Sequence, residues 1–237
     1  YHTSGGETEA LKDINFSVAE KEFVSIIGPS GCGKSTILSI IAGLEKPSGG
    51  LVNILSGNSK SHIGYMLQQD HLFPWLTVRK NALLGLDIRK ERTKEAETKV
   101  DNLLKQYGLE AFKDRSPVEL SGGMKQRAAL IRTLAIDPSV LLLDEPFSAL
   151  DYQTRLAVSD DIYKIIKNEG KTAILVTHDI SEAISVSDRV IVLTNRPSKV
   201  KNIYDIHLSA ENSPIARRKA PEFSKYFQIL WEELNGN

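Results

Sequence analysis

The segment Gly28-Pro29-Ser30-Gly31-Cys32-Gly33-Lys34-Ser35 spaces three glycines, a lysine and a hydroxyl as triphosphate chemistry requires. Glycines let the backbone from Gly28 through Ser30, Gly31 and Cys32 to Gly33 curl, so that successive N–H groups point at phosphate oxygens. The positive end of the helix that follows adds to the attraction. Lys34 is suited to bridge the β- and γ-phosphates, the Ser35 hydroxyl to complete a Mg²⁺ shell, and Thr36 to reach the α-phosphate. Cys32 reads either as a small filler or as a thiolate favoured by the helix start and Lys34, and the filler reading is preferred.

A second constellation closes an apolar run, Leu141-Leu142-Leu143-Asp144-Glu145-Pro146. A carboxylate at the end of a buried strand is costly unless it faces a cation, so Asp144 is expected to hold Mg²⁺ through water. Glu145 beside it is the candidate general base, polarising the water that attacks the γ-phosphorus. A third element, Leu120-Ser121-Gly122-Gly123-Met124-Lys125-Gln126-Arg127, lies between the other two. Ser121 with the N–H groups of Gly122 and Gly123 at a helix start forms a ready anion site, and small residues let a phosphate come close.

These groups need rigid elements to hold them. Phe23 to Ile27 is a short β-branched run entering the glycine loop, and Ser35 to Ala42 reads as a helix stopped by Gly43. Ala10 to Val18 alternates apolar and polar residues like a half-buried strand. Residues 89–107 carry apolar positions at helical spacing and predict an amphipathic surface helix. Further on, a helix from about Gly123 to Ile136 ends at Asp137-Pro138. Strands at Val140–Leu143, Thr172–Val176 and Val190–Leu193 then alternate with a helix from Tyr152 to about Lys167 and a short helix. Such alternation means an α/β fold with a parallel sheet and helices on its faces, interrupted by an all-helical stretch from about 76 to 136.

Composition sets the outer limits. The 237 residues are 41% hydrophobic and 25% charged, ordinary for a globular domain. Lys plus Arg and Asp plus Glu each number 30, which argues against a nucleic-acid binder. A single cysteine excludes an internal disulfide framework. No apolar run nears the about 18 residues of a membrane span and no signal peptide is evident, so a membrane role is expected to come from docking onto another protein.

The order of the three motifs resembles the ATP-binding cassette (ABC) ATPases, over nearly the whole chain. The resemblance implies a P-loop NTPase (RecA-like), mostly parallel core with an antiparallel β subdomain and an inserted helical subdomain. It also implies one cassette domain over residues 1–237, with a short helical tail at about 208–237. It implies ATP and Mg²⁺ as ligands. Two copies would pair head to tail, Ser121, Gly122 and Gly123 of each facing the γ-phosphate held by the other. Gln68 aligns with the family glutamine that senses Mg²⁺ and the attacking water, assigned over Gln69 by its distance to Pro74-Trp75. His178 matches the histidine that hydrogen-bonds the γ-phosphate. Asp151, in Ser148-Ala149-Leu150-Asp151, matches the loop that crosses the dimer interface. Tyr1 matches the aromatic that stacks on adenine, and the family normally has a short strand before it. Met124 departs from the glutamine common in the family; because backbone groups carry the phosphate contact, little loss is expected.

The stretch from His71 to Val78, with Leu72, Phe73, Trp75 and Leu76, resembles the groove where importer ATPases receive a helix of their membrane permease. With Met124 and Asp188-Arg189-Val190-Ile191-Val192-Leu193, it most resembles the nitrate, sulfonate, taurine and bicarbonate group. That group implies a subunit on the cytoplasmic face of the membrane, working with a permease and indirectly with an extracytoplasmic solute-binding protein. A soluble DNA-repair ABC ATPase would carry long heptad-patterned insertions, and a small-molecule P-loop kinase would leave Ser121-Gly122-Gly123 unexplained. An exporter subunit is separated from the importer reading by resemblance alone.

Overall fold

The computed structural model describes residues 2–3, 6–7, 9–55, 62–210 and 213–236. The chain forms two compact units, one of residues 1–53 and 172–237, the other of residues 54–171.

In the first unit, β1 (His2–Thr3) and β2 (Gly6–Glu7) form a short antiparallel pair. The main sheet is built on β3 (Phe23–Ile27), all five residues of which are buried. β3 is flanked on both sides by parallel partners, β6 (Thr172–Val176) and β7 (Arg189–Leu193). β-Branched runs without alternation are what strands covered on both faces require. β8 (Val200–Asp205) adds antiparallel to β7 as a mostly exposed strand. Helix α1 (Lys34–Ile41) follows the glycine loop and is closed by Gly43 at φ 73°. Helix α6 (Ile180–Val186) follows β6, and the tail supplies α7 (Pro214–Arg217) and α8 (Phe223–Asn235). An apolar cluster that includes Ile27, Ile184, Val192, Leu208 and Leu230 joins α6, the sheet and the tail.

The strand expected over Ala10–Val18 is not a ladder. Burial does alternate along it, but its only bridge among the described residues is Leu11 beside Ser198. Asp13, at φ 51°, turns the backbone out of the extended region inside the run.

In the second unit, β4 (Ile63–Met66) and β5 (Val140–Asp144) lie parallel. The described residues of this unit also form the α-helices α2 (Val78–Arg89), α3 (Lys94–Gln106), α4 (Gly122–Leu134) and α5 (Tyr152–Asn168); α4 packs on β4, and the other three pack on α4. Each start is capped by the side chain before it: Thr77, Thr93, Ser121 and Asp151. The amphipathic helix predicted over 89–107 is α3 alone, because Lys90 at φ 57° ends α2 and separates the two. Its buried face is Val100, Leu103 and Leu104. Across the two helices, Arg79 grips Asp101 at 2.6 and 2.9 Å and Glu97 at 3.0 Å, which holds the Asp101 carboxyl below its usual range. After α4, Asp137 takes Lys171 at 2.7 Å and Lys99 at 2.9 Å, in that order the causes that pull its pKa down to about 2.

β4 passes so close beneath α4 that Gly64 has no room for a methyl. A Cβ there would lie 2.5 Å from Thr133 Cγ2 and 3.0 Å from Leu141 Cδ2. Gly64→Ala is therefore expected to lower stability by about 1–3 kcal/mol, read as a reduced urea midpoint. A midpoint equal to wild type would show that the helix can retreat at no cost.

Candidate functional site

In the first unit, the glycine loop runs from the end of β3 into α1. Gly31 and Gly33 adopt φ 72° and 110°, conformations that side chains resist. Lys34, which is buried, curls back to donate to Gly28 O at 2.8 Å and Pro29 O at 3.0 Å. Its ammonium therefore lies over the loop that the sequence assigns to phosphate. Ser35 and Thr36 lie in the first turn of α1, and Ser30 is exposed in the loop. Cys32 is 1% exposed. Its Sγ lies under Gly28, where an added Cβ would meet it at 2.9 Å. The thiol fills space, as the filler reading expects.

His178 follows β6 with an exposed side chain, and both its neighbours are anchored. The Thr177 hydroxyl donates to the buried Glu182 carboxylate and accepts from Asp179 N at 3.1 Å. Asp179 Oδ1 in turn caps α6 by accepting from Glu182 N at 3.0 Å.

In the second unit, Asp144 ends β5 half-buried, and the Tyr65 hydroxyl of β4 donates to its Oδ2 at 3.3 Å. Glu145 stands at φ 45°, a left-handed backbone rarely adopted by a residue with a side chain. That turn is held by Ser148, whose N–H and hydroxyl donate to Glu145 O at 3.2 and 2.9 Å. The same hydroxyl accepts from Gln68 Nε2 at 3.1 Å. The structure thus links Gln68 to the backbone of Glu145 through one side chain.

Ser121 and Gly122 are exposed at the start of α4, with Ser121 Oγ accepting from Met124 N at 3.3 Å. The two glycines also have a packing reason. A Cβ on Gly122 would meet Leu150 Cδ2 at 2.9 Å, and one on Gly123 would meet Val158 Cγ2 at 2.7 Å. Asp151 is exposed and caps α5 by accepting from Thr154 N at 3.1 Å. Hydrogen bonds from Thr154, side chain first and then backbone, hold its carboxyl below the usual range. Tyr1 lies outside the described residues.

The loop 70–77 is fixed from three sides. The buried Asn81 amide accepts from Phe73 N at 2.8 Å and donates to Phe73 O, Thr77 O and Leu76 O at 3.1, 3.0 and 3.3 Å. Arg132 donates to Asp70 O and His71 O at 2.7 Å each, and Ser116 Oγ to Pro74 O at 2.9 Å. Leu72 turns inward, whereas Trp75 is 75% exposed with its ring centroid 5.0 Å from that of Phe73. Tyr65, Asn81 and the Ser148 hydroxyl escape sequence reasoning, because their partners are distant in the chain or lie on the backbone.

Among the described residues no helix is long and apolar enough to cross a membrane. The profile of the ABC transporter family matches residues 11–148. An uncharacterized ABC transporter ATP-binding protein of Bacillus subtilis (strain 168), YtlC, is 49% identical over 99% of this chain and 92% of its own length. The taurine import ATP-binding protein TauB of Jannaschia sp. (strain CCS1) is 38% identical over 98% of this chain and 87% of its own. A solved structure of the ATP-binding cassette MJ0796, described as a dimeric post-hydrolysis state bound to ADP and Pi, superimposes with a TM-score of 0.71. It is 35% identical and covers 87% of this chain and 95% of that one. The parallel strands, the glycine loop and the helical stretch are those of this fold, and the importer-group resemblance has a named relative. The chain belongs to the ABC transporter ATP-binding proteins and is an ATPase of that family.

Proposed function

We propose that this ATPase powers an importer. Two copies pair head to tail on the cytoplasmic face of the membrane, hold Mg-ATP between them, and drive a permease that moves a small solute such as an oxyanion or a sulfonate. An extracytoplasmic solute-binding protein delivers the solute, and no nucleic acid takes part. The dimeric MJ0796 cassette and the taurine importer relative support this reading.

Within each site, the amides from Gly28 to Gly33 cradle the phosphates while Lys34 moves from the loop carbonyls to the β- and γ-phosphate oxygens. Thr36 reaches the α-phosphate. The Ser35 hydroxyl, the Gln68 amide oxygen and Asp144 through water offer hard oxygen donors, a set that fits Mg²⁺. When bound, Mg²⁺ neutralises charge on the β- and γ-phosphates. Glu145 takes the proton of the attacking water and His178 donates to the γ-phosphate. Ser121, Gly122 and Gly123 of the second copy grasp the same phosphate, and Asp151 lies at the crossing between copies. Hydrolysis removes that shared grip and lets the pair open, which rocks the permease.

The observation that carries the transport reading is Trp75. An indole held 75% exposed on a loop pinned by Asn81, Arg132 and Ser116 is a preorganised anchor for a partner helix. Trp75→Ala is expected to weaken the complex with the permease by about 10–100-fold while ATP affinity stays at the wild-type value, measured by titrating labelled subunit onto permease in nanodiscs. Co-purification with the permease then tests the function itself: a small oxyanion or sulfonate stimulates ATP turnover. A complex indifferent to every such solute would refute the proposed cargo class.

A further inference from the structure

The tail reaches the catalytic region through one buried cation. Arg217, on α7, is 5% exposed and donates from one guanidinium nitrogen to Ile184 O at 3.3 Å and Ser187 O at 2.5 Å. Those carbonyls sit at the C-terminal end of α6, where the helix dipole favours positive charge. At the other end, Glu182 in the first turn holds Thr177, and Asp179 caps the helix. His178 stands between these two anchored neighbours. Ser187, which Arg217 grips, is also bonded through its hydroxyl to Ser25 on β3.

A helix of seven residues cannot hold its own shape or position in water. Its placement is set by what grips its ends and by its apolar side, here Ile180, Ala183 and Ile184 in the cluster shared with Leu208, Ala220 and Leu230 of the tail. α6 is about 10 Å long, so a shift at the Arg217 end is carried directly to the His178 end.

We infer that Arg217 is a positioning residue for ATP hydrolysis: by gripping the end of α6 it sets where His178 meets the γ-phosphate. This rests on the proposed role of His178. Displacement of a reacting group by about 1 Å costs up to about 100-fold in rate, so loss of the grip should show in turnover while leaving ground-state nucleotide binding intact.

The test is a double-mutant cycle on the full chain, with radiolabelled ATP to follow slow turnover. Arg217→Met is expected to lower kcat by about tenfold with the KM for ATP within about twofold of wild type. Arg217→Lys, which keeps a cation in reach of a carbonyl, should recover most of the loss. In a His178→Gln background, Arg217→Met should cost less than about twofold more, because the group it positions is already gone. An equal fold loss in both backgrounds would overturn the inference, as would a loss confined to KM. Wild-type turnover in His178→Gln alone would instead overturn the role given to His178. Should Arg217→Met fail to fold, Ser213→Ala applies the same cycle. It removes the cap of α7, where Ser213 Oγ accepts from Ala216 N at 3.1 Å, and so loosens the helix that carries Arg217.

Discussion

Glu145→Gln binds ATP with near wild-type affinity, turns it over about 10²–10⁴-fold more slowly, and in Mg-ATP persists as a dimer on gel filtration. The amide keeps the shape of the carboxylate but cannot take a proton from water. Binding survives because the proposed phosphate contacts are made by the glycine loop and Lys34 rather than by this carboxylate. The left-handed turn at φ 45° is held by the Ser148 N–H and hydroxyl on the Glu145 carbonyl. The proposed dimer opens only when the γ-phosphate is cut away, so blocking that step should leave the pair closed. Turnover within threefold of wild type would remove Glu145 as the base and leave the phosphate loop untouched.

Lys34→Ala weakens ATP binding by about 10–150-fold, as expected when one or two charge-assisted contacts to phosphate are lost. The side chain has two duties. It straps Gly28 O and Pro29 O at 2.8 and 3.0 Å, and it carries the cation proposed to meet the β- and γ-phosphates. Isothermal titration with ATP and with AMP separates them. A loosened loop harms both ligands, whereas a lost β/γ contact harms ATP alone. Unaltered ATP affinity would dismiss the phosphate role.

Much of this arrangement was readable in the residues, and the reasons differ by element. β3 and β6 fall where the sequence predicts them, at Phe23–Ile27 and Thr172–Val176, because runs of buried β-branched residues have few other uses. α4 and α5 begin within a residue of expectation, since Ser121 and Asp151 are good N-caps. β4 was missed: it has four residues, one of them Gly64, and propensity there is outweighed by its pairing with β5. β8 was missed because it is exposed except at Val200 and Tyr204, with Lys201 and Asn202 in it. Ala10–Val18 misled in the other direction, its alternation real but its ladder broken by the turn at Asp13.

For the candidate site, motifs of fixed spacing stand out in the sequence itself, whereas long-range partners do not. Nothing near Asp144 points to Tyr65, 79 positions earlier, and nothing near Ile184 points to Arg217. Gln68 and Ser148 belong to separate motifs, and only the fold brings the amide to the hydroxyl. The glycines at 122 and 123 were read for phosphate access, yet contact with Leu150 and Val158 would keep them glycine by itself.

Cys32 has a practical consequence. It is the chain's sole sulfhydryl and is 1% exposed, so a maleimide dye should leave the native protein dark. A cysteine introduced at a surface site such as Ile88, 74% exposed on α2, could then carry one fluorophore per polypeptide without background. Energy transfer between two such labelled molecules would report whether the proposed pairing and release occur in real time during turnover.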